Sequence, residues 1–168
     1  MEIIKEVLQA IDEKKSIYNT LSRKVWSFAE LHFAEVQSAE LLSQALEQEG
    51  FTVERGIAGL RTGFVGSFGS GKPVLAFLGE FDALAGLSQK KDSTVRDPLV
   101  SGGNGHGCGH NLLGVGSLAA AFVVKAYLEA HQLPGTVRFY GCPAEESGNG
   151  KAYMARSGCF NDVAAAFS

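Results

Sequence analysis

Apolar residues in the first fifty positions recur three and four apart: Ile3, Ile4, Val7, Leu8 and Ile11, then Ile17, Leu21, Val25 and Trp26, then Leu41, Leu42, Ala45 and Leu46. That period stacks them on one side of a helix and predicts two N-terminal helices between residue 2 and about residue 49. Gly50 follows the last stripe, where a helix-ending glycine belongs. Beyond it the period changes. Phe51 to Arg55 reads as an edge strand, Gly63 to Phe68 alternates as a second, and the nearly unbroken apolar run Pro73 to Leu78 suits a buried central strand. Leu112 to His131 then reads as a long helix rich in small residues, Val137 to Tyr140 as a strand, Gly150 to Arg156 as a short helix and Val163 to Phe167 as the start of a further strand. Strands alternating with helices predict an α/β fold: a largely parallel sheet with helices on both faces.

Composition narrows the class. At 168 residues, 45% hydrophobic and 20% charged, the chain is long enough to bury one substantial core. A net charge of -3, with its 15 Lys and Arg scattered, offers no basic surface for a phosphate backbone, so nucleic acid is not an expected partner. The acidic start Met1-Glu-Ile-Ile-Lys-Glu6 lacks the basic, then apolar layout of a secretory leader. The longest apolar run, Leu112 to Val124, is short for a membrane span, so no membrane association is expected. An odd set of three cysteines, Cys108, Cys142 and Cys159, has no disulfide-framework spacing. A cytoplasmic protein is the reading, with Cys142 and Cys159 as small buried apolar residues. No Cys-x-x-Cys occurs, which disfavours a redox thiol module.

The candidate chemistry lies in two short stretches. Asn104-Gly-His-Gly-Cys-Gly-His-Asn111 places His106, Cys108 and His110 between single glycines just before the long helix. Glycine permits backbone conformations and close approaches that a Cβ forbids, so such donors can converge on one ion. Cys142-Pro-Ala-Glu-Glu-Ser147 sets two carboxylates directly after a strand. A hydrolytic metal site needs a few N, S and O ligands, an open position and a separate base for the attacking water. One glutamate could ligate while its neighbour serves as base. From the residues alone, a structural thiol at 108 and a solvated acidic turn remain open alternatives. Glu80-Phe-Asp82 and Ala144-Glu-Glu146 each follow a strand, at the carboxyl ends where open α/β sheets carry ligands. The aperiodic polar stretch 88 to 105 either borders the substrate entrance or is a mobile insertion. His32 and His131, at helix ends, read as surface or capping residues. Lys151 after Gly148-Asn-Gly lacks the spacing of a phosphate loop.

Together with Gly79-Glu-Phe-Asp-Ala-Leu84, Gly86-Leu-Ser-Gln89, Val137-Arg-Phe-Tyr-Gly-Cys-Pro143 and Gly148-Asn-Gly-Lys151, these stretches resemble the M20 metallopeptidases and amidohydrolases, in the branch with a Cys-Gly-His-Asp/Asn loop and a Pro-Ala-Glu-Glu turn. The resemblance implies that Cys108, His110 and Glu146 are metal ligands and that Glu145 is the general base. It implies one or two divalent ions, zinc or manganese, and leaves His106 in a supporting place. Asp82 aligns with an aspartate that steers a ligand histidine in a His-x-Asp motif. Here Glu80 stands at the histidine position, so the pairing is altered and Asp82 is a candidate to act behind the ligands. Asn111 replaces an aspartate, a substitution that marks the subgroup acting on aminobenzoyl-glutamate. The implied substrate is a small N-acyl amino acid amide such as aminobenzoyl-glutamate. Aminoacylase or dipeptidase activity, and a silent metal-binding fragment, are the rivals. The family pattern further implies that residues 1–168 are the N-terminal portion of a zinc-peptidase-like catalytic domain. A dimerisation and lid domain, the rest of the catalytic domain and a histidine just past Ser168 would lie beyond them. The full-length protein would be a homodimer or a hetero-oligomer.

Overall fold

A computed structural model describes residues 2–168. Helices α1 (Glu2–Phe28) and α2 (Val36–Gln48) precede strands β1 (Thr52–Arg55), β2 (Phe64–Ser70) and β3 (Val74–Glu80). Helix α3 (His110–Ala130), strand β4 (Gly135–Cys142), short helices α4 (Glu145–Gly148) and α5 (Gly150–Arg156) and strand β5 (Ala165–Phe167) complete the chain. The fold is α/β, with one five-stranded sheet in the order β1-β2-β4-β3-β5.

The parallel character expected of the sheet belongs to one half of it. β3 pairs in parallel with β4 and with β5, whereas β1–β2 and β2–β4 are antiparallel. Only a helix-length crossover can join parallel neighbours, and α3 supplies it between β3 and β4. A tight connection joins β2 to β3, yet they are not partners, because β4 inserts between them. β1 is an edge strand and β3 has neighbours on both sides, as the sequence pattern predicted.

Alternation along each strand divides the core. Phe64, Phe77, Val137 and Phe139 face α1, α2 and α3 and pack with Leu21, Val25, Leu42, Leu46, Leu118 and Phe122. Ala76, Tyr140 and Cys142 face the other way, onto Ile57, Leu60 and Met154 of α5. Both faces are therefore covered, thickly by three helices and thinly by α5 and the 57–60 turn. Each fully buried Leu or Phe contributes on the order of 1.5–3 kcal/mol. α2 ends at Gly50, whose positive φ of 89° lets Phe51 N–H reach the Leu46 carbonyl at 3.0 Å.

Two expectations need correction or refinement. In α1 the helical period is right, but Ile3, Ile4, Leu8, Ile11, Ile17 and Trp26 are exposed, and only Tyr18, Leu21 and Val25 enter the core. A stripe records which side chains share a helix face, and the neighbours decide which face is covered. Helix α3 is long and apolar enough to cross a membrane by length and composition alone. Its residues Val115, Leu118, Ala121 and Phe122 are instead buried in the core beside the sheet.

Candidate metal centre

The site gathers at the carboxyl ends of the parallel strands. Glu80 closes β3 opposite Cys142, which closes β4. The chain leaves β3 through Phe81 and Asp82, returns along the Gly-rich loop to His110 at the first turn of α3, and leaves β4 through Pro143 and Ala144 into Glu145 and Glu146. α3 can lie this close to β3 because residue 114 is glycine. A Cβ there would stand 2.3 Å from the Glu80 carbonyl oxygen. Independent segments thus meet at one rim, the region the sequence motifs indicated.

His110 is the hub. Its imidazole is buried and its Nδ1 lies 2.9 Å from Asp82 Oδ1. With Nδ1 engaged, the other nitrogen, Nε2, is directed to Glu80 Oε2 at 3.4 Å, Glu145 Oε2 at 3.7 Å and Glu146 Oε1 at 3.9 Å. A carboxylate behind one imidazole nitrogen fixes the ring and leaves the other nitrogen free to donate its lone pair. The second Asp82 oxygen accepts the Glu146 backbone N–H at 3.0 Å, so one carboxylate aligns both the histidine and the acidic turn. Burial works against the charge on Asp82, but the bonds from His110 and from Glu146 N–H prevail and hold its carboxyl below the usual range. The Asp82 hydrogen bond raises the His110 pKa against the opposing effect of burial.

Cys108, His110 and Glu146 present Sγ, a ring nitrogen and a carboxylate oxygen within 4.8 Å of one another. A second set, Glu80, His110 and Glu145, meets the same limit. Both draw on His110, which has one nitrogen left to give. The first set fits a divalent ion better. Glu146 Oε1 is buried without a hydrogen-bond partner, an arrangement that costs roughly 1–3 kcal/mol or more unless something positive completes it. Cys108 Sγ lies beside Glu146, whose hydrogen bond and negative charge push the thiol pKa up. Glu80, in contrast, is ion-paired with Lys151. Burial lowers the pKa of that lysine.

His106 does not join either set. Its Nε2 meets the Val25 carbonyl at 3.0 Å, and burial lowers its pKa. Its Nδ1 is buried without a hydrogen-bond partner. Cys142 is fully buried, with burial pushing its thiol up to about 12, and Cys159 is partly buried, while Cys108 is exposed. His131 ends α3 and pairs with Glu6, and His32 is exposed. Within the irregular 88–105 stretch, Ser88 N–H bonds the Gly103 carbonyl and Lys90 N–H that of Asp97. Sequence reasoning missed the pairing of Lys151 with Glu80 and a buried glutamate, Glu35, behind the acidic turn. For Glu35 the signal was a lone charge among Phe33, Ala34 and Val36.

A thiol, an imidazole and carboxylates converging at the strand ends of an α/β layer define a candidate metal centre. Residues 76–168 match the model of peptidase family M20/M25/M40, and the chain belongs to that family. It is 49% identical to one of the subunits of the p-aminobenzoyl-glutamate hydrolase of Escherichia coli (strain K12), across 99% of this chain and 35% of that protein. It is 30% identical to the Xaa-Arg dipeptidase of Mus musculus, across 99% of this chain and 38% of the relative. Among solved structures, a dinuclear metal binding peptidase of the M20 family from Bacillus subtilis superposes with a TM-score of 0.72 at 26% identity, over 91% of this chain and 42% of that one. The chain thus spans little more than a third of the length of the curated relatives it matches.

Proposed function

We propose that a protein of the relatives' full length containing this chain is a metal-dependent amidohydrolase, and that its substrate is a small N-acyl amino acid such as aminobenzoyl-glutamate. The observation that carries this reading is the unpartnered, buried Glu146 oxygen within ligand reach of Cys108 and His110. The 49% identity to part of an aminobenzoyl-glutamate hydrolase supports the substrate class. Cys108, His110 and Glu146 would hold the ion, and Asp82 orients His110. A divalent ion bound there would polarise the scissile carbonyl and acidify a water. Thiolate and imidazole donors suit zinc and the carboxylates suit manganese. The remaining ligands for one or two ions, and a lid or dimerisation domain, belong in this reading to the rest of the catalytic domain.

Glu145 has a different task. It is half exposed, faces the His110 ring, and makes no hydrogen bond to a neighbouring side chain among the described residues, so it is free to move a proton. As base it takes a proton from water as the oxygen bonds to the amide carbon. It then delivers that proton to the nitrogen as the C–N bond breaks, releasing a carboxylic acid and an amine. Binding the proton carrier to the metal would remove this function, which is why adjacent glutamates divide the work. The protein is read as cytoplasmic, acting as a homodimer or hetero-oligomer, without nucleic-acid or membrane partners.

A dipeptidase is the second reading, favoured by the similarity to the Xaa-Arg dipeptidase. Assay of the full-length protein against aminobenzoyl-glutamate, N-acyl amino acids and Xaa-Arg dipeptides separates them. Hydrolysis should vanish with chelator and return with added zinc or manganese. Failure to cleave any of these amides under either metal would sink the hydrolase reading.

A further inference from the structure

The side chain of Glu35 is completely buried, yet it belongs to none of the groups around His110. Removing a carboxylate from water without a counter-ion costs several kcal/mol, so such a group persists only where donors are aimed at it. Glu35 Oε2 accepts the Thr62 hydroxyl at 2.9 Å, and Oε1 accepts the backbone N–H of Ala144 at 2.8 Å. Ala144 immediately precedes Glu145 and Glu146 and adopts left-handed torsions, φ 56° and ψ 47°. For a residue with a Cβ that conformation costs roughly 1–2 kcal/mol, and it persists where the surroundings hold it. The side chain of Ala144 offers no hydrogen bond of its own. Its amide is held from outside, by Glu35.

The rest of the α1–α2 junction points the same way. Ala29 O accepts the Asn104 side chain at 3.2 Å, Val25 O meets His106, and Glu30 O accepts the Ala83 N–H at 2.8 Å, next to Asp82. The Phe33 ring packs so closely on Gly148 that a Cβ there would lie 2.4 Å from it. One continuous segment, residues 25–35, therefore touches each of the rim loops that carry the site, and it lies outside the stretch matched by the family model.

We propose that Glu35 is a positioning residue: by holding the Ala144 amide it sets the direction in which Glu145 and Glu146 leave β4 relative to His110 and Asp82. This rests on the hydrolase reading for its effect on turnover, but not for its effect on the turn. The test uses the full-length protein with Glu35→Asp, which shortens the reach by one methylene and keeps the charge, Glu35→Ala, and Glu35→Gln, which keeps the reach and loses the charge. Hydrogen exchange is measured at the Ala144 amide, zinc affinity is titrated with zinc alone, and kcat and KM are determined on aminobenzoyl-glutamate. Displacing a partner that orients a metal ligand typically costs about 10–100-fold in affinity or activity. Glu35→Asp and Glu35→Ala are expected to lose that much in zinc affinity and kcat, with KM little changed. Exchange should quicken at Ala144 but not at Phe139 within β4. Glu35→Gln should return all three readouts to near wild type. Unchanged Ala144 exchange or zinc affinity in a folded Glu35→Asp protein would overturn the proposal, as would a Glu35→Gln protein as impaired as Glu35→Asp. If Glu35→Ala does not fold, the Asp and Gln variants decide. If wild type binds zinc but cleaves no amide, the hydrolase reading fails while exchange and zinc affinity still judge Glu35.

Discussion

Glu146 on the rim and Glu30 and Glu35 in the junction behind it are all carboxylates, and their surroundings could hardly differ more. Both oxygens of Glu30 are taken, one by Gln37 N–H at 2.9 Å and the other by Ser38 N–H and hydroxyl, each at 2.9 Å. Both oxygens of Glu35 are taken as well. Glu146 keeps a buried oxygen with no partner. A carboxylate that holds structure has each oxygen bonded within the protein, whereas one meant for a ligand leaves an oxygen open. The two histidines differ instead in what faces them: His106 Nε2 meets a backbone carbonyl while its Nδ1 is buried without a partner, and His110 Nε2 faces three carboxylates.

If the rim carries chemistry and the junction carries geometry, rim variants should change function without melting the fold. In the junction, Glu30, whose carboxylate bonds only the first turn of α2, should change stability alone, whereas Glu35, which holds a rim amide, should reach the site. The largest effect is expected from Glu145→Gln in the full-length protein. Losing a general base should lower kcat by about 10²–10⁴-fold while metal content stays whole. Wild-type-like turnover in that variant would remove Glu145 from the reaction. Next comes Cys108→Ala, where metal content measured by plasma mass spectrometry should fall, and affinity should drop by more than the about 10–100-fold typical of residues that merely orient ligands. Unchanged stoichiometry would make the exposed thiol a bystander.

Smaller effects test the other side. Glu30→Ala removes the carboxylate that caps the first turn of α2 and should cost about 1 kcal/mol in urea unfolding, with zinc affinity unaltered. A loss of zinc affinity comparable to that of Cys108→Ala would erase the distinction between the regions. The smallest change is expected far from both, at the Arg138–Asp162 pair, where the two guanidinium nitrogens reach the two Asp162 oxygens at 2.7 and 2.8 Å. That bond holds the Asp162 carboxyl below its ordinary value of 3.8. A depressed carboxylate stabilises the folded state above its unfolded pKa, and loses this as pH falls through the folded one. Melting curves of Asp162→Asn should thus lie slightly below wild type at neutral pH and merge with it in acid. A gap that widens in acid would reverse the sign.

Much of the rim was legible without coordinates, because glycine-spaced donors and paired carboxylates after a strand are local patterns. The run from Asn104 to Asn111 and the turn from Pro143 to Glu146 carry their chemistry within a few residues. Most of the helices and strands were legible for the same reason, since apolar periodicity is a property of neighbours along the chain. Register, pairing and partners are not. Sequence spacing could not show that β4 slots between β2 and β3, which makes half of the sheet antiparallel.

Nor could it show that Asp82, whose expected histidine partner is replaced by Glu80, takes up His110 from a different element, 28 positions along the chain. The contact of Glu35 with Ala144 spans 109 positions, and that of His106 with Val25 spans 81. The stripe at Ile4, Leu8 and Ile11 was read correctly as one helix face, yet lies exposed. By itself, then, the sequence determined which side chains can donate to an ion and which segments coil or extend, because those depend on residue type and local spacing. Only the tertiary structure decided which donors meet, which lone pairs stay open, and which buried carboxylate braces the others, because those depend on long-range packing that brings distant segments within hydrogen-bond reach.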